Sequence, residues 1–390
     1  MKNKNLLVVA LIAVVNALGY GIIIPILYSY SKKYGLTDFQ NGLLFSIFSI
    51  CQFISTPIIG RLSDKFGRKP LLVTSLAGTL LSFVLMAFAP SAIWLFIARI
   101  IDGLTAGNIS VVSAVISDST EGKDRAKGFG IIGASFGFGF IFGPVISGLT
   151  YTFHPTYPFL IAALISLVSL VITFIMLPET NRFMHEVTDK KFFDLRHLAQ
   201  SLVDKKVGLT LLISLIYSFA FSAFIYGYQP FAVRAMHMPV GLIAANFTAI
   251  GIIGVIGQVV VIPIVIKRLG DKASLILSLA AISVVFLLLG FSKISIIFIS
   301  LTLFNSFFNA FVNPLIQTLL SNEVDHQSQG SIMGVNSSYV GLGSIFGPLI
   351  GGLVATYNIS FPFIVAGLSV LVCLYLSLKI KVNAPVDHAF

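Results

Sequence analysis

The chain has 390 residues, 56% of them hydrophobic and only 10% charged. A soluble domain carries roughly 25% charged residues, so the composition excludes an ordinary water-soluble enzyme and makes the bilayer the solvent that matters. Lysine and arginine exceed aspartate and glutamate by 25 to 15, a formal charge of +10; in a soluble protein that suggests nucleic acid, but here it has a topological explanation.

Met1-Lys-Asn-Lys-Asn5 precedes an apolar run that reaches about Tyr30 with no small-residue cleavage site, so it reads as a retained first span and not a signal peptide. Twelve apolar segments of membrane-crossing length are predicted, at about 6–30, 40–60, 71–89, 92–116, 128–151, 157–177, 208–231, 242–266, 273–291, 294–318, 331–355 and 360–379. Their connections are short and marked by proline or polar residues, except for a charged linker at 178–207. The chain therefore divides into a six-helix bundle at 1–177, a cytoplasmic linker at 178–207 and a second six-helix bundle at 208–390. With the N-terminus inside, 20 lysines and arginines fall on the cytoplasmic side and four outside, with Arg99 left within a span. That bias predicts a multi-pass topology with both termini and the linker cytoplasmic; the membrane expected is a bacterial-type inner (cytoplasmic) one.

One glycine-rich stretch occurs twice. Gly137-Phe-Gly-Phe-Ile-Phe-Gly-Pro-Val-Ile-Ser-Gly-Leu149 and Gly341-Leu-Gly-Ser-Ile-Phe-Gly-Pro-Leu-Ile-Gly-Gly-Leu353 match at nine of 13 positions, 204 residues apart. A period of half the chain means two homologous halves. Gly139, Gly143 and Gly148 with Pro144, and Gly343, Gly347 and Gly352 with Pro348, let a neighbouring helix approach to backbone contact while the proline removes one hydrogen bond and bends the segment. The pair reads either as two packing seams or as equivalent bent helices on which two half-molecules rock.

Between spans two and three lies Gly60-Arg-Leu-Ser-Asp-Lys-Phe-Gly-Arg-Lys69. Positive charge alone would anchor the topology, but Gly60, Gly67 and Asp64, the last able to pair with Arg68, point to a specific latch. Arg268-Leu-Gly-Asp-Lys272 repeats part of it in the second half, without the Gly-Arg-Lys tail.

Residues 60–69 resemble the signature loop of the major facilitator superfamily, and 137–148 resemble the glycine–proline motif of its twelve-spanner drug:proton antiporters. Ile97-Ala-Arg-Ile-Ile-Asp-Gly103 resembles the fourth-span arginine motif, and the stretch from there through Gly148 is similar to the tetracycline-exporter branch. The resemblance implies an all-α integral membrane protein, with twelve transmembrane helices in two pseudo-symmetric six-helix bundles of the major facilitator fold. It also implies that Asp64 and Arg68 bond an acid closing span four, here Asp118, and stabilise an outward-facing state. One departure is plain: the tetracycline exporters carry an acid in mid-span one, where this chain has Asn16.

Of 15 acids only Asp102 lies well inside a span, three residues after Arg99 and on the same helix face. A charge in lipid costs at least about 2.5 kcal/mol on insertion scales and usually faces a cavity. The pair is either a structural tie to a neighbouring span or a proton carrier, Asp102, modulated by Arg99. Burial and the guanidinium pull the acid's protonation in opposite directions, and the balance decides whether a proton binds near neutral pH. Polar and aromatic stripes suggest a substrate cavity: Asn16 and Tyr20 in span one, Asn108 in span four, Tyr217, Phe221 and Tyr228 in span seven, Gln258 in span eight, and Asn305, Asn309 and Asn313 in span ten. Aromatic walls with neutral amides suit a moderately hydrophobic organic ligand and disfavour sugar phosphates.

The reading is a proton-coupled exporter of amphipathic drugs or small organic metabolites by alternating access, with a proton-coupled symporter or facilitator of a neutral metabolite such as a sugar as the alternative. A small organic substrate, protons and the lipid bilayer are its expected partners; nucleic acid is not, and the expected state is a monomer. No Ser/His/Asp, paired-acid or phosphate-binding glycine motif argues for an enzyme. Cys51 and Cys373 have no metal-ligand spacing, and all six histidines sit in loops, segment ends or the tail, so no cofactor or metal is expected.

Overall fold

A computed structural model describes residues 2–120, 122–181, 195–204, 206–325 and 328–380. Among them twelve helices are long and apolar enough to cross a membrane. The first half runs α1 (Lys2–Ile23), α2 (Leu27–Lys32), α3 (Asp38–Phe66), α4 (Arg68–Ala87), α5 (Ala92–Thr105), α6 (Asn108–Ser119), α7 (Gly122–Tyr151) and α8 (Tyr157–Met176). The second runs α10 (Gly208–Arg234), α11 (Val240–Ile256), a π-turn (Gly257–Val261), α12 (Ile262–Leu269), α13 (Asp271–Gly290), α14 (Ser295–Asn322), α15 (Gln329–Ala355) and α16 (Phe361–Leu378), with α9 (Leu195–Val203) between the halves.

Three spans depart from unbroken helices. The first stops at Ile23, since Pro25 cannot donate to the ladder, and the chain turns before α2. Span four breaks at Ala106–Gly107 into α5 and α6. Span eight carries the π-turn just before Pro263. The stretch expected as a loop at 60–69 is almost wholly helical: α3 runs to Phe66, α4 starts at Arg68, and only Gly67 intervenes. Gly67 has φ +100° and ψ 157°, a region essentially reserved for glycine.

Buried side chains form separate cores. Val8, Ile12, Leu72, Val111 and Val115 pack in one part of the first half, and Leu18, Ile22, Phe83, Leu95 and Phe159 in another. The second half packs around aromatics, with Phe224 stacked on Phe286 at 4.8 Å and Phe231 edge-on to Phe363 at 5.1 Å. Helix α9 belongs to this half: Leu198 and Leu202 pack on its core, and Tyr339 Oη donates to the Leu198 carbonyl at 2.5 Å.

The duplicated glycines sit in seams of backbone contact. A Cβ at Gly139 would lie 2.3 Å from Ala17 carbon, and one at Gly143 2.6 Å from Gly21, so α7 lies flush on α1. Gly343 and Gly347 do the same for α15 on α10, meeting Phe219 backbone at 2.6 Å. Both helices also meet the other half. Gly148 abuts Ala244 of α11 at 2.5 Å, and Gly352 abuts Gly42 of α3 at 2.9 Å. Ser46 Oγ, also on α3, donates to the Ile345 carbonyl at 2.8 Å. These inter-half contacts lie toward the end where α3 begins and α7 ends. At the other end of α7 and α15, carbons added at Gly130, Gly133, Gly330 and Gly334 meet nothing within 4 Å. The halves thus close at the end opposite the Gly67 turn and part at the end that carries it.

Candidate functional site

The break in span four positions the charged pair. Freed carbonyls at the end of α5 are taken up by neighbours, as buried backbone must be: Ser55 Oγ of α3 donates to the Gly103 carbonyl at 2.9 Å, and Ser75 Oγ of α4 donates to the Thr105 carbonyl. A Cβ at Gly103 would stand 2.5 Å from the Phe48 carbonyl, so α3 and α5 are in backbone contact beside Asp102. Arg99 and Asp102 are both buried. Arg99 Nη1 lies 3.3 Å from Asp102 Oδ2, and its guanidinium sits over the Phe48 ring at 4.1 Å from the centroid, a cation–π contact. Arg99 Nε finds no hydrogen-bond partner among the described residues.

The pair faces a cavity of about 90 Å³ whose walls include Tyr20, Phe48, Gln52, Thr79, Phe83 and Asn108. All its lining residues belong to the first half, so it lies within that bundle. Tyr20 Oη is 3.4 Å from Gln52 Oε1. Asn16 and Asn108 also line it and exchange amide hydrogen bonds, at 2.9 and 3.0 Å, between α1 and α6. The expected Asn16, Tyr20 and Asn108 are thus brought together with Arg99 and Asp102.

The second-half candidates are not at this cavity. Tyr217 Oη donates to Asn309 Oδ1, and Phe221 stacks on Tyr217 and lies tilted against Phe224. Tyr228 is packed in the core between Phe247 and Phe298 and accepts from Asn246 Nδ2 at 2.7 Å. Asn305 is buried, Asn309 half-buried and Asn313 exposed, so the amide stripe of α14 emerges toward the open end. Gln258 is exposed on the π-turn, a helix distortion that often marks functional sites.

The residues expected to form a latch come together at the open end. Arg68 reaches Asp64 Oδ1 at 2.5 Å and Asp118 Oδ2 at 3.2 Å, and donates to Ser63 Oγ at 2.6 Å. Gly60 sits beside Ser110 of α6. Sequence reading missed its fourth member, Glu179. One carboxylate oxygen accepts from Arg68 N at 2.8 Å and the other from Lys69 N at 3.1 Å, so the residue just after span six caps α4. Asn181 Nδ2 adds a bond to the Asp64 carbonyl at 2.7 Å. A Cβ at Gly67 would strike Glu179 Oε2 at 2.4 Å. Pro178-Glu-Thr-Asn181 directly after an apolar run was the visible signal. The triad is complete in this structure, in which the halves part at the triad's own end. All its atoms lie in one half, so it can persist whichever way the bundles tilt. In the second half the turn recurs at Gly270, φ +76°, but Lys272 Nζ caps the end of α16 through the Leu378 and Ile380 carbonyls at 3.2 and 2.6 Å.

The family model of the Major Facilitator Superfamily matches residues 9–270 and 210–389. The chain belongs to that superfamily. Class C tetracycline resistance protein of Escherichia coli is 30% identical over 96% of this chain and 96% of its own length. Multidrug resistance protein 1 of Bacillus subtilis (strain 168) is 31% identical over 98% of each. Among solved structures, the human organic anion transporter MFSD10 (TETRAN) superposes with TM-score 0.72 at 20% identity, covering 96% of this chain and 99% of that one. A peptide transporter POT superposes at 0.79 and 14%, covering 97% and 94%. These likenesses show a shared fold.

Proposed function

We propose that the protein is a proton-coupled exporter of amphipathic drugs or small organic metabolites, a transporter and not an enzyme, working by alternating access in the cytoplasmic membrane. The observation that carries the reading is a buried acid, Asp102, facing a cavity with a single guanidinium beside it, in a chain whose full-length relatives bear the names of tetracycline and multidrug resistance proteins. The excess of cations at the latch end supports a cytoplasmic location for that end and for both termini. The parted halves then correspond to an inward-facing form, and rocking where α7 meets α11 and α15 meets α3 would carry the cavity to the other side.

In this reading Asp102 carries the proton and Arg99 modulates it. With a proton bound, the carboxyl no longer holds Arg99, and the guanidinium is left on Phe48; with the proton gone the pair re-forms. A cationic or hydrogen-bonding substrate beside Tyr20 and Gln52 would compete for the same carboxylate, which couples the two fluxes through one site. The amide pair Asn16–Asn108 supplies polarity without charge.

The test is uptake by everted vesicles together with equilibrium binding. Wild-type vesicles should accumulate substrate and lose it when the proton gradient is collapsed; accumulation indifferent to the gradient would overturn antiport. Asp102→Asn should abolish gradient-driven uptake while ligand binding persists. Loss of folded protein instead would mark the pair as a structural tie.

A further inference from the structure

At the closed end the two halves are joined by a second charged cluster, which no motif announces. Asp38 opens α3 in the first half and its side chain is only 8% exposed. Its Oδ2 lies 2.6 Å from Nη1 of Arg234, the last residue of α10 in the second half. Its Oδ1 accepts from Tyr28 Oη at 2.9 Å and pairs with Lys32 Nζ at 3.1 Å, both on α2. Tyr226 Oη, also from α10, donates to the Asp38 carbonyl at 2.5 Å. One turn along, Gln229 Oε1 accepts the Tyr28 backbone N–H at 2.8 Å, so a second-half side chain satisfies a donor in the first turn of α2. Gln229 Nε2 is buried with no partner among the described residues.

We propose that Asp38, bridged to Arg234, is the lock that holds this end of the transporter shut, and that the cluster must come apart in every transport cycle. The latch at the other end lies within one half, but every bond from α10 to Asp38 or Tyr28 crosses between the halves. Each is lost when the bundles tilt apart. The cations suit release and re-formation: Arg234 is 51% and Lys32 36% exposed, so both can return to water, while the acid stays behind with Tyr28 and Lys32 on its own half. A carboxylate held between two cations and a hydroxyl keeps a partner when Arg234 leaves, so no buried charge is stranded. Because the closed state depends on this pair, weakening it should shift the resting population toward opening at this end. The lock deepens the alternating-access reading and takes its sense from it.

The experiment uses purified protein in detergent, with Cys51 and Cys373 changed to serine and Ser46→Cys placed in the α3–α15 seam. Labelling by a hydrophilic maleimide, which reaches both ends at once, reads opening without reference to orientation, substrate or protons. Failure of the efflux reading and failure of the lock are thereby separable. Arg234→Gln and Asp38→Asn should each raise the labelling rate about tenfold, the scale of a modest population shift, whereas Arg234→Lys should stay near the parent. Unchanged labelling in both neutralised variants overturns the proposal. So does an equal rise in Arg234→Lys, or a parallel rise at Ser169→Cys, a buried position inside the first half that only unfolding would expose.

Discussion

Glu323 shows how one side chain can set a pH dependence. It lies just past α14, beyond the membrane-crossing helices. Thr210 Oγ1 donates to its Oε1 at 2.7 Å, while Oε2 is buried without a partner among the described residues. Burial pushes its carboxyl up from 4.5 to about 7; the Thr210 bond opposes that and the charge of Asp204 adds to it. The folded chain therefore holds this proton more tightly than the unfolded chain does. Its contribution to stability is complete below pH 4.5 and is lost as pH rises through about 7. Melting temperature should fall across that window, and Glu323→Gln should flatten that part of the curve. Gly67 gives a second residue-scale prediction. Gly67→Ala should cost about 1–3 kcal/mol for a backbone region closed to alanine, and also displace the Glu179 cap. Gly270→Ala should bear strain alone, since a Cβ there meets nothing within 4 Å. Thermal unfolding of the two variants side by side decides it, with Gly67→Ala the lower.

At the scale of the element, the duplicated motif is a contact surface. Gly139→Ala forces a methyl against Ala17 backbone, an overpacking penalty of about 1–3 kcal/mol. Gly133→Ala on the same helix should hold or raise the melting temperature, because its Cβ position is open and alanine favours the helix over glycine. A matching loss in both variants would overturn the packing account, since helix propensity alone favours alanine over glycine at both positions. Span lengths and the repeat were legible in the sequence because lipid demands long apolar runs and because two copies can be aligned. The interruption at Ala106–Gly107 was not: apolar character continues through it, and the serines that satisfy the freed carbonyls, Ser55 and Ser75, come from other helices. Pro25 did carry a signal, since a proline within a span reads as tolerated or breaking depending on what its neighbours can satisfy. The Arg99–Asp102 pair was legible from helical spacing alone. The Asp38 cluster was not, since Asp38 and Arg234 are 196 residues apart and each sits innocuously at a span end. The Tyr228 and Asn305 positions show the converse: helical spacing names a shared face but does not say whether that face meets a cavity or a core.

For the whole molecule, closure at one end and separation at the other make a concrete expectation. Phe66 and Leu269 are exposed residues near the latch-end turns of the first and second halves. Spin labels there should report a long distance in the resting protein and a shorter one when the opposite end opens. If that distance stays fixed under turnover conditions while substrate moves, rocking of the halves is wrong.

The seams along α7 and α15 have a mechanical corollary. Surfaces built from glycine offer no interlocking teeth, so one helix can roll over its neighbour without side chains having to disengage. Such a bearing keeps friction low in both tilts. It is unforgiving of grit, and a single added methyl on the smooth track would favour whichever tilt leaves room for it. Bias between the two tilts should therefore be adjustable from these tracks without touching the cavity at all.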